Sequence, residues 1–144
     1  MFFSNIFGLT NFANSVCQAD NLRVGTCYTE NECRRLGGEP SGVCASRYGV
    51  CCVFEVTCSG VVQQNNSIIV SPNYPSKFTD SRSCDITINR RPNACQVRLD
   101  FTEMTLAQPD NTVCVNDRFS VSRFPNVPVI CGENRNQHSK YLAL

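Results

Sequence analysis

Cys51 and Cys52 are neighbours in the chain, and that pair constrains the fold more than any other feature. Adjacent cysteines rarely bond to each other, because the intervening peptide leaves no room for relaxed S–S geometry. Each must reach a different partner. Cys17, Cys27, Cys33 and Cys44 stand just upstream, so the expected product is a small loop-rich module knitted together from its own C-terminal end. Such a framework persists where thiols are oxidised, which points to a secreted, extracellular protein. Eleven cysteines in 144 residues approach the density of disulfide scaffolds.

Charge excludes several classes of function. The net charge is +1, whereas nucleic-acid binders carry a clear basic excess, so no nucleic-acid partner is expected. Arg34–Arg35 and Arg90–Arg91 read as solvated surface. No apolar run reaches the length of about 18 residues that a membrane span needs. Residues 1–16 hold Phe2, Phe3, Ile6, Phe7 and Leu9, but Ser and Asn interrupt them. Without a basic leader and a long apolar centre this is a poor signal peptide, and 1–16 is read as a leader or disordered segment. Cytosolic zinc binding is the competing reading of the cysteines. Zinc knuckles prefer close pairs such as C-x2-C, which this chain lacks.

Composition shifts near Cys58. Residues 17–57 are rich in glycine and cysteine, and only Thr29 to Leu36 predicts a short helix. There Thr29 serves as N-cap and Glu32 completes a capping box. From Cys58 the pattern becomes strand-like. Gln96 to Phe101 alternates strictly, with Val97, Leu99 and Phe101 on one face, as in a half-buried antiparallel strand. Ile68–Val70, Ile86–Ile88, Phe119–Val121 and Val127–Ile130 are shorter β-prone runs. Turn formers such as Pro72-Asn73, Pro109-Asp110-Asn111 and Pro125-Asn126 separate them, which suggests a β-sandwich.

Several elements after Cys58 resemble a CUB domain. Ile69-Val70-Ser71-Pro72-Asn73-Tyr74-Pro75 and Cys84-Asp85-Ile86-Thr87-Ile88 are similar to its opening. Val97 to Phe101, Cys114-Val115-Asn116-Asp117 and Ile130-Cys131-Gly132 resemble its apolar strand, C-x-x-D and C-G elements, in order. The resemblance implies an antiparallel jelly-roll β-sandwich over 58–144, with Cys58 bonded to Cys84 and Cys114 to Cys131. Residues 17–57 are similar to a clip-like module of arthropod secreted proteins, through Gly25-Thr26-Cys27 to Cys33 and the closing Cys51-Cys52. That likeness implies Cys17–Cys51, Cys27–Cys44 and Cys33–Cys52, although six cysteines admit many pairings.

Two departures from the CUB pattern stand out. The family's sandwich continues beyond the C-G element, so the fold is expected to be incomplete at the C-terminus. Family members also resemble one another in a calcium site, of which Asp117 is the one carboxylate present. Ala107 stands where a Glu would fall. Calcium takes six to eight oxygens, so no calcium or other cofactor is expected, and Asp117 reads as a turn or backbone-bonding aspartate, a remnant at most. Cys95 is left over. Three fates stay open for it: a buried free thiol, a bond to a cysteine in further strands, or a bond to another chain.

Catalytic sets are hard to assemble from these residues. His138 is the single histidine and lies in the polar run Asn136 to Ser139. No serine sits in a nucleophile context and no H-E-x-x-H is present. Asn65-Asn66-Ser67 is a sequon, making Asn65 a candidate glycan site. The expectation is a secreted, non-enzymatic recognition protein whose loops bind an extracellular protein or glycan. Asn73-Tyr74, Lys77-Phe78 and Asn134 to His138 are the candidate contacts. The alternative is a regulatory segment of a secreted trypsin-like serine protease. A third reading is a free-standing cysteine-rich peptide of defence or cuticle type, against which the near-neutral charge argues where membranes are the target.

Overall fold

The computed structural model describes residues 11–123 and 127–142. Residues 1–10 of the expected leader and the turn at Pro125-Asn126 lie outside them. The chain forms two compact units, Met1–Asn89 and Arg90–Leu144. Both are mainly β among the described residues, with α1 (Glu30–Arg35) as the α-helix.

The first unit is built on a four-stranded antiparallel sheet in the order β1-β2-β4-β3, from β1 (Val16–Gln18), β2 (Val24–Tyr28), β3 (Glu39–Cys44) and β4 (Gly49–Val53). No alternation in the sequence announces this sheet, because its buried positions run consecutively, Gly25 to Cys27 in β2 and Cys51 to Val53 in β4, and most of them are cysteine, glycine or threonine. The segment just before β1 also joins it: the Ser15 carbonyl accepts from the Cys27 N–H (2.8 Å) and Asn14 Nδ2 donates to the Cys27 carbonyl (2.9 Å). Residues 14–16, assigned from sequence to a leader or disordered segment, are therefore part of the sheet edge.

Successive side chains of a strand point to opposite faces, and β4 uses this to place Cys51 and Cys52. Cys51 bonds Cys17 with Cα atoms 5.7 Å apart, in a cluster with Ala19 and Val53 against which Ile68 packs. Cys52 bonds Cys33 of α1 with Cα atoms 5.5 Å apart, among Phe54, Tyr28, Leu36 and Val50. The Tyr28 and Phe54 rings meet edge-on at 6.2 Å. Cys27 bonds Cys44 across the sheet. Among the described residues the fully buried side chains are Cys27, Cys33, Cys51 and Cys52. Burying one Phe contributes about 1.5–3 kcal/mol and one bridge about 2–4 kcal/mol, so each bridge stabilises this module about as much as a buried core side chain does.

Helix α1 begins where the capping box predicts. Glu32 N–H donates to Thr29 Oγ1 (3.3 Å) and Thr29 N–H donates to Glu32 Oε2 (3.2 Å). It stops in a Schellman motif: Gly37 N–H donates to the Arg34 carbonyl and Gly38 N–H to the Cys33 carbonyl. Gly37 has φ +79°, the left-handed conformation this stop requires.

Beyond β4, short strands pair in parallel: β5 (Glu55–Val56) with β7 (Ile68–Ile69), and β6 (Val61–Val62) with β8 (Thr87–Ile88). The runs at Ile68–Val70 and Ile86–Ile88 thus become strands of two residues each, shorter than the sequence suggests. The Cys58–Cys84 bridge, Cα atoms 4.8 Å apart, closes the loop that joins them.

In the second unit β9 (Gln96–Phe101) shows the expected alternation, with Val97, Leu99 and Phe101 half-buried and Gln96, Arg98 and Asp100 exposed. It pairs antiparallel with β10 (Gln137–Leu142). Of the polar run Asn136 to Ser139, Gln137 to Ser139 belong to β10 and Asn136 to the turn before it. The run carries no apolar periodicity, yet the free edge of β9 supplies the backbone partners. Phe119 and Ile130 exchange backbone hydrogen bonds as an isolated bridge, and Phe119 meets Phe101 edge-on at 5.6 Å.

Candidate recognition surface

The sequon loop is anchored at its base. Asn66 Nδ2 donates to Thr26 Oγ1 (3.0 Å), and Ser67 Oγ donates to the Gln64 carbonyl (2.8 Å). Asn66 holds φ 56°, a conformation Asn tolerates better than most residues. Thr26 itself is buried. The loop is therefore pinned from one side while Asn65 stays exposed, the presentation a glycan attachment requires. Beside it, Leu36, Gly37, Phe54, Val61 and Gln63 border an open cleft of about 150 Å³, roomy enough only for a small group.

The loop after β7 holds its shape through local hydrogen bonds. Tyr74 N–H donates to the Ser71 carbonyl (3.0 Å) and Ser76 N–H to the Asn73 carbonyl (2.7 Å), around a cis Tyr74–Pro75 peptide. The Arg82 guanidinium lies 5.6 Å over the Phe78 ring and 3.2 Å from Asp80. Asn73, Tyr74 and Lys77 are exposed and Phe78 is half-buried. Loops on a rigid scaffold are where binding residues concentrate, and the neighbouring Cys58–Cys84 bridge supplies that rigidity.

In the second unit the Cys114–Cys131 bridge ties two segments, Cα atoms 5.7 Å apart. Leu106 N–H donates to the Gly132 carbonyl, and Gly132 N–H donates to the Ala107 carbonyl. Thr105 Oγ1 donates to Glu133 Oε2 (2.7 Å). This hydroxyl, helped by the Arg135 N–H, holds the Glu133 carboxyl below its usual range. On the exposed face of β9 the Arg98 guanidinium grips Asp100 at 2.6 Å, which raises the already high Arg98 value further. His138 stands opposite Asp100 in the β9–β10 register. Of the candidate segment Asn134 to His138, the last two residues belong to a strand and the rest to the turn before it. Cys95 is a free, exposed thiol.

Asp117 accepts a hydrogen bond at Oδ2 from the Ala107 N–H (3.3 Å), so the carboxylate is engaged with the backbone. Among the described residues no three His, Cys, Asp or Glu side chains gather as metal ligands. One carboxylate already bonded to backbone is a poor fit to an ion that takes six to eight oxygens.

Two features here carry almost no signal in the sequence. Strand β10 lacks any periodic signal. The tip of the β3–β4 hairpin, at Ala45 to Tyr48, has as its signal only the glycines at 42 and 49 that flank it.

The chain is mainly β and cross-linked by five bridges, and comparison with known proteins assigns its family. The family model for the CUB domain matches residues 58–140, and the chain belongs to the CUB domain family. CUB domains are non-catalytic, extracellular interaction modules, and the disulfides fit that setting. Among curated proteins the chain is similar to Blastula protease 10 of Paracentrotus lividus, with 30% identity over 120 residues. The alignment covers 77% of this chain and spans 19% of that protein's length. No solved structure matches the chain. Among the described residues no helix is long and apolar enough to cross a membrane.

Proposed function

We propose that the chain is a secreted, non-enzymatic recognition protein. Its CUB part, from Cys58 onward, binds extracellular proteins or glycans through its loops, and residues 17–57 form a clip-like module of the arthropod secreted type. The carrying observation is the covalent frame: five bridges take up every cysteine except Cys95. Loops such as Asn73–Lys77 stand exposed beside it. No cofactor takes part, and Asn65 carries an N-glycan. Expression in a secretory host tests this reading, with recovery from the medium, non-reducing peptide mapping and mobility after glycan removal. The oxidised chain, displayed in multivalent form on arrays of extracellular proteins and glycans, should give saturable binding that Tyr74→Ala with Lys77→Ala removes. Retention inside the cell with free thiols, or binding indifferent to that double change, would overturn it.

The similarity to a protein named as a protease favours a second reading, in which this chain is the regulatory segment of a larger secreted protease. The clip-like block suggests the trypsin-like class. Extending the transcript and finding a catalytic domain downstream would decide for it.

A further inference from the structure

The β3–β4 hairpin turns through Ala45, Ser46 and Arg47, whose φ angles are 47°, 53° and 74°. Left-handed backbone is disfavoured wherever a Cβ crowds the following carbonyl oxygen, so three such residues in a row persist only if their surroundings over-determine them. Here they do. The Cys27–Cys44 bridge clamps one leg of the hairpin, and Cys44 pairs with Gly49 on the other. Gly49 is locked in turn: a Cβ there would lie 2.7 Å from the Phe12 ring and 2.9 Å from Cys27 Sγ. Tyr48 N–H closes the turn on the Ala45 carbonyl (3.0 Å).

This rigid tip holds Ser46, Arg47 and Tyr48 out into solvent, with Tyr48 67% exposed. Arg23, Arg34, Arg82 and Arg98 each pair with an acid; Arg47, like Arg118, has no acidic partner among the described residues, and it is followed directly by the exposed Tyr48. Strained backbone of this kind clusters at ligand clamps, and Tyr and Arg on a preorganised support dominate protein interfaces. A single guanidinium matches one carboxylate through its planar fork; sulfated polyanions call for runs of basic residues instead.

We propose that the tip Ser46–Tyr48 is a protein-docking site, separate from the CUB loops. It takes a partner segment that offers a carboxylate to Arg47 and an apolar side chain to the Tyr48 ring.

The test uses the oxidised full chain, immobilised and panned against a phage-displayed random dodecapeptide library; selected peptides are then synthesised and titrated. Expected sequences share an Asp or Glu next to aliphatic residues. Arg47→Ala and Tyr48→Ala should each weaken their binding at least tenfold, with melting midpoint and disulfide map unchanged. Ser46→Glu, which sets a competing carboxylate beside Arg47, should give a similar loss and serves if either alanine variant misfolds. The proposal is overturned if the peptides bind the Arg47→Ala, Tyr48→Ala double variant as tightly as the parent. Failure to enrich any sequence overturns it too, as does heparin binding that depends on Arg47 in place of acidic-peptide binding.

Discussion

Gly25 of β2 lies so close to Cys52 of β4 that a methyl group on it would sit 2.5 Å from the Cys52 carbonyl oxygen and 3.0 Å from Cys51 Sγ. The strand next to the vicinal pair is thus pressed against it, and the bridges from Cys51 and Cys52 leave little freedom to move apart. Gly25→Ala should destabilise the chain by about 1–3 kcal/mol, the usual cost of forcing extra atoms into a packed interior. The measurement is a thermal melt of the oxidised protein followed by far-ultraviolet circular dichroism. A midpoint equal to the parent's would mean that the sheet is packed more loosely than this contact implies.

Bridges of similar span should differ in worth according to burial. Cys33–Cys52 encloses a separation of 19 residues and Cys58–Cys84 one of 26, so loop entropy nearly cancels in the comparison. Cys33 and Cys52 are both 0% exposed, whereas Cys84 is exposed and Cys58 half-buried. Replacing Cys33 and Cys52 with Ala should lose the bridge and leave voids around Phe54 and Leu36, costing near the upper end of about 2–5 kcal/mol. The Cys58→Ala, Cys84→Ala pair should fall near the lower end. Chemical denaturation of the two double variants checks the order.

What the sequence made legible depended on where local rules carried the structure. Thr29 and Glu32 announce the start of α1 because a capping box is local chemistry, and β9 announces itself because half its side chains meet a core. The sheet in residues 16–53 stays hidden, since its buried positions Gly25, Thr26, Cys27, Gly49, Cys51, Cys52 and Val53 fall on both faces and so carry no hydrophobic period. Strand β10 stays hidden because its backbone is recruited by the edge of β9 across more than 30 residues of chain. On the candidate surface, Asn65 and the Asn73–Tyr74 loop could be found from sequon and turn chemistry. The hairpin tip at Arg47 could not, because its left-handed backbone is imposed by a bridge and by Gly49 packing, not by its own residues.

The capping box sets an acid-side dependence. The Glu32 carboxyl is held below its ordinary value of 4.5, first by the Thr29 hydroxyl, then by the Thr29 N–H, with Arg35 adding a smaller contribution. A group whose value is lowered on folding contributes stability above the unfolded value and loses it as pH falls through the folded one. The helix should therefore loosen as pH drops below about 4.5. Thr29→Ala removes the cap at a cost of about 1 kcal/mol near neutral pH, and it should also flatten this acid dependence. Because Glu32 is solvated, added salt should shrink the Arg35 contribution and spare the hydrogen bonds. Melting midpoints between pH 3 and 7, for parent and variant, provide the test.

Cys95 should be the site of thiol chemistry in the native protein. Its thiol is free and exposed, just ahead of Gln96 where β9 begins, while every other cysteine is bridged. Exposure governs access to alkylating reagents. Iodoacetamide added to the native protein without denaturant should therefore label Cys95 alone, giving a single modified peptide on mapping. Prolonged storage in air should produce a covalent dimer that dithiothreitol dissolves and that Cys95→Ser never forms. The melting midpoint of Cys95→Ser should match the parent's, since an exposed thiol contributes no packing. A native protein that takes up no label would place Cys95 in a bond or under cover and would overturn the free, exposed thiol.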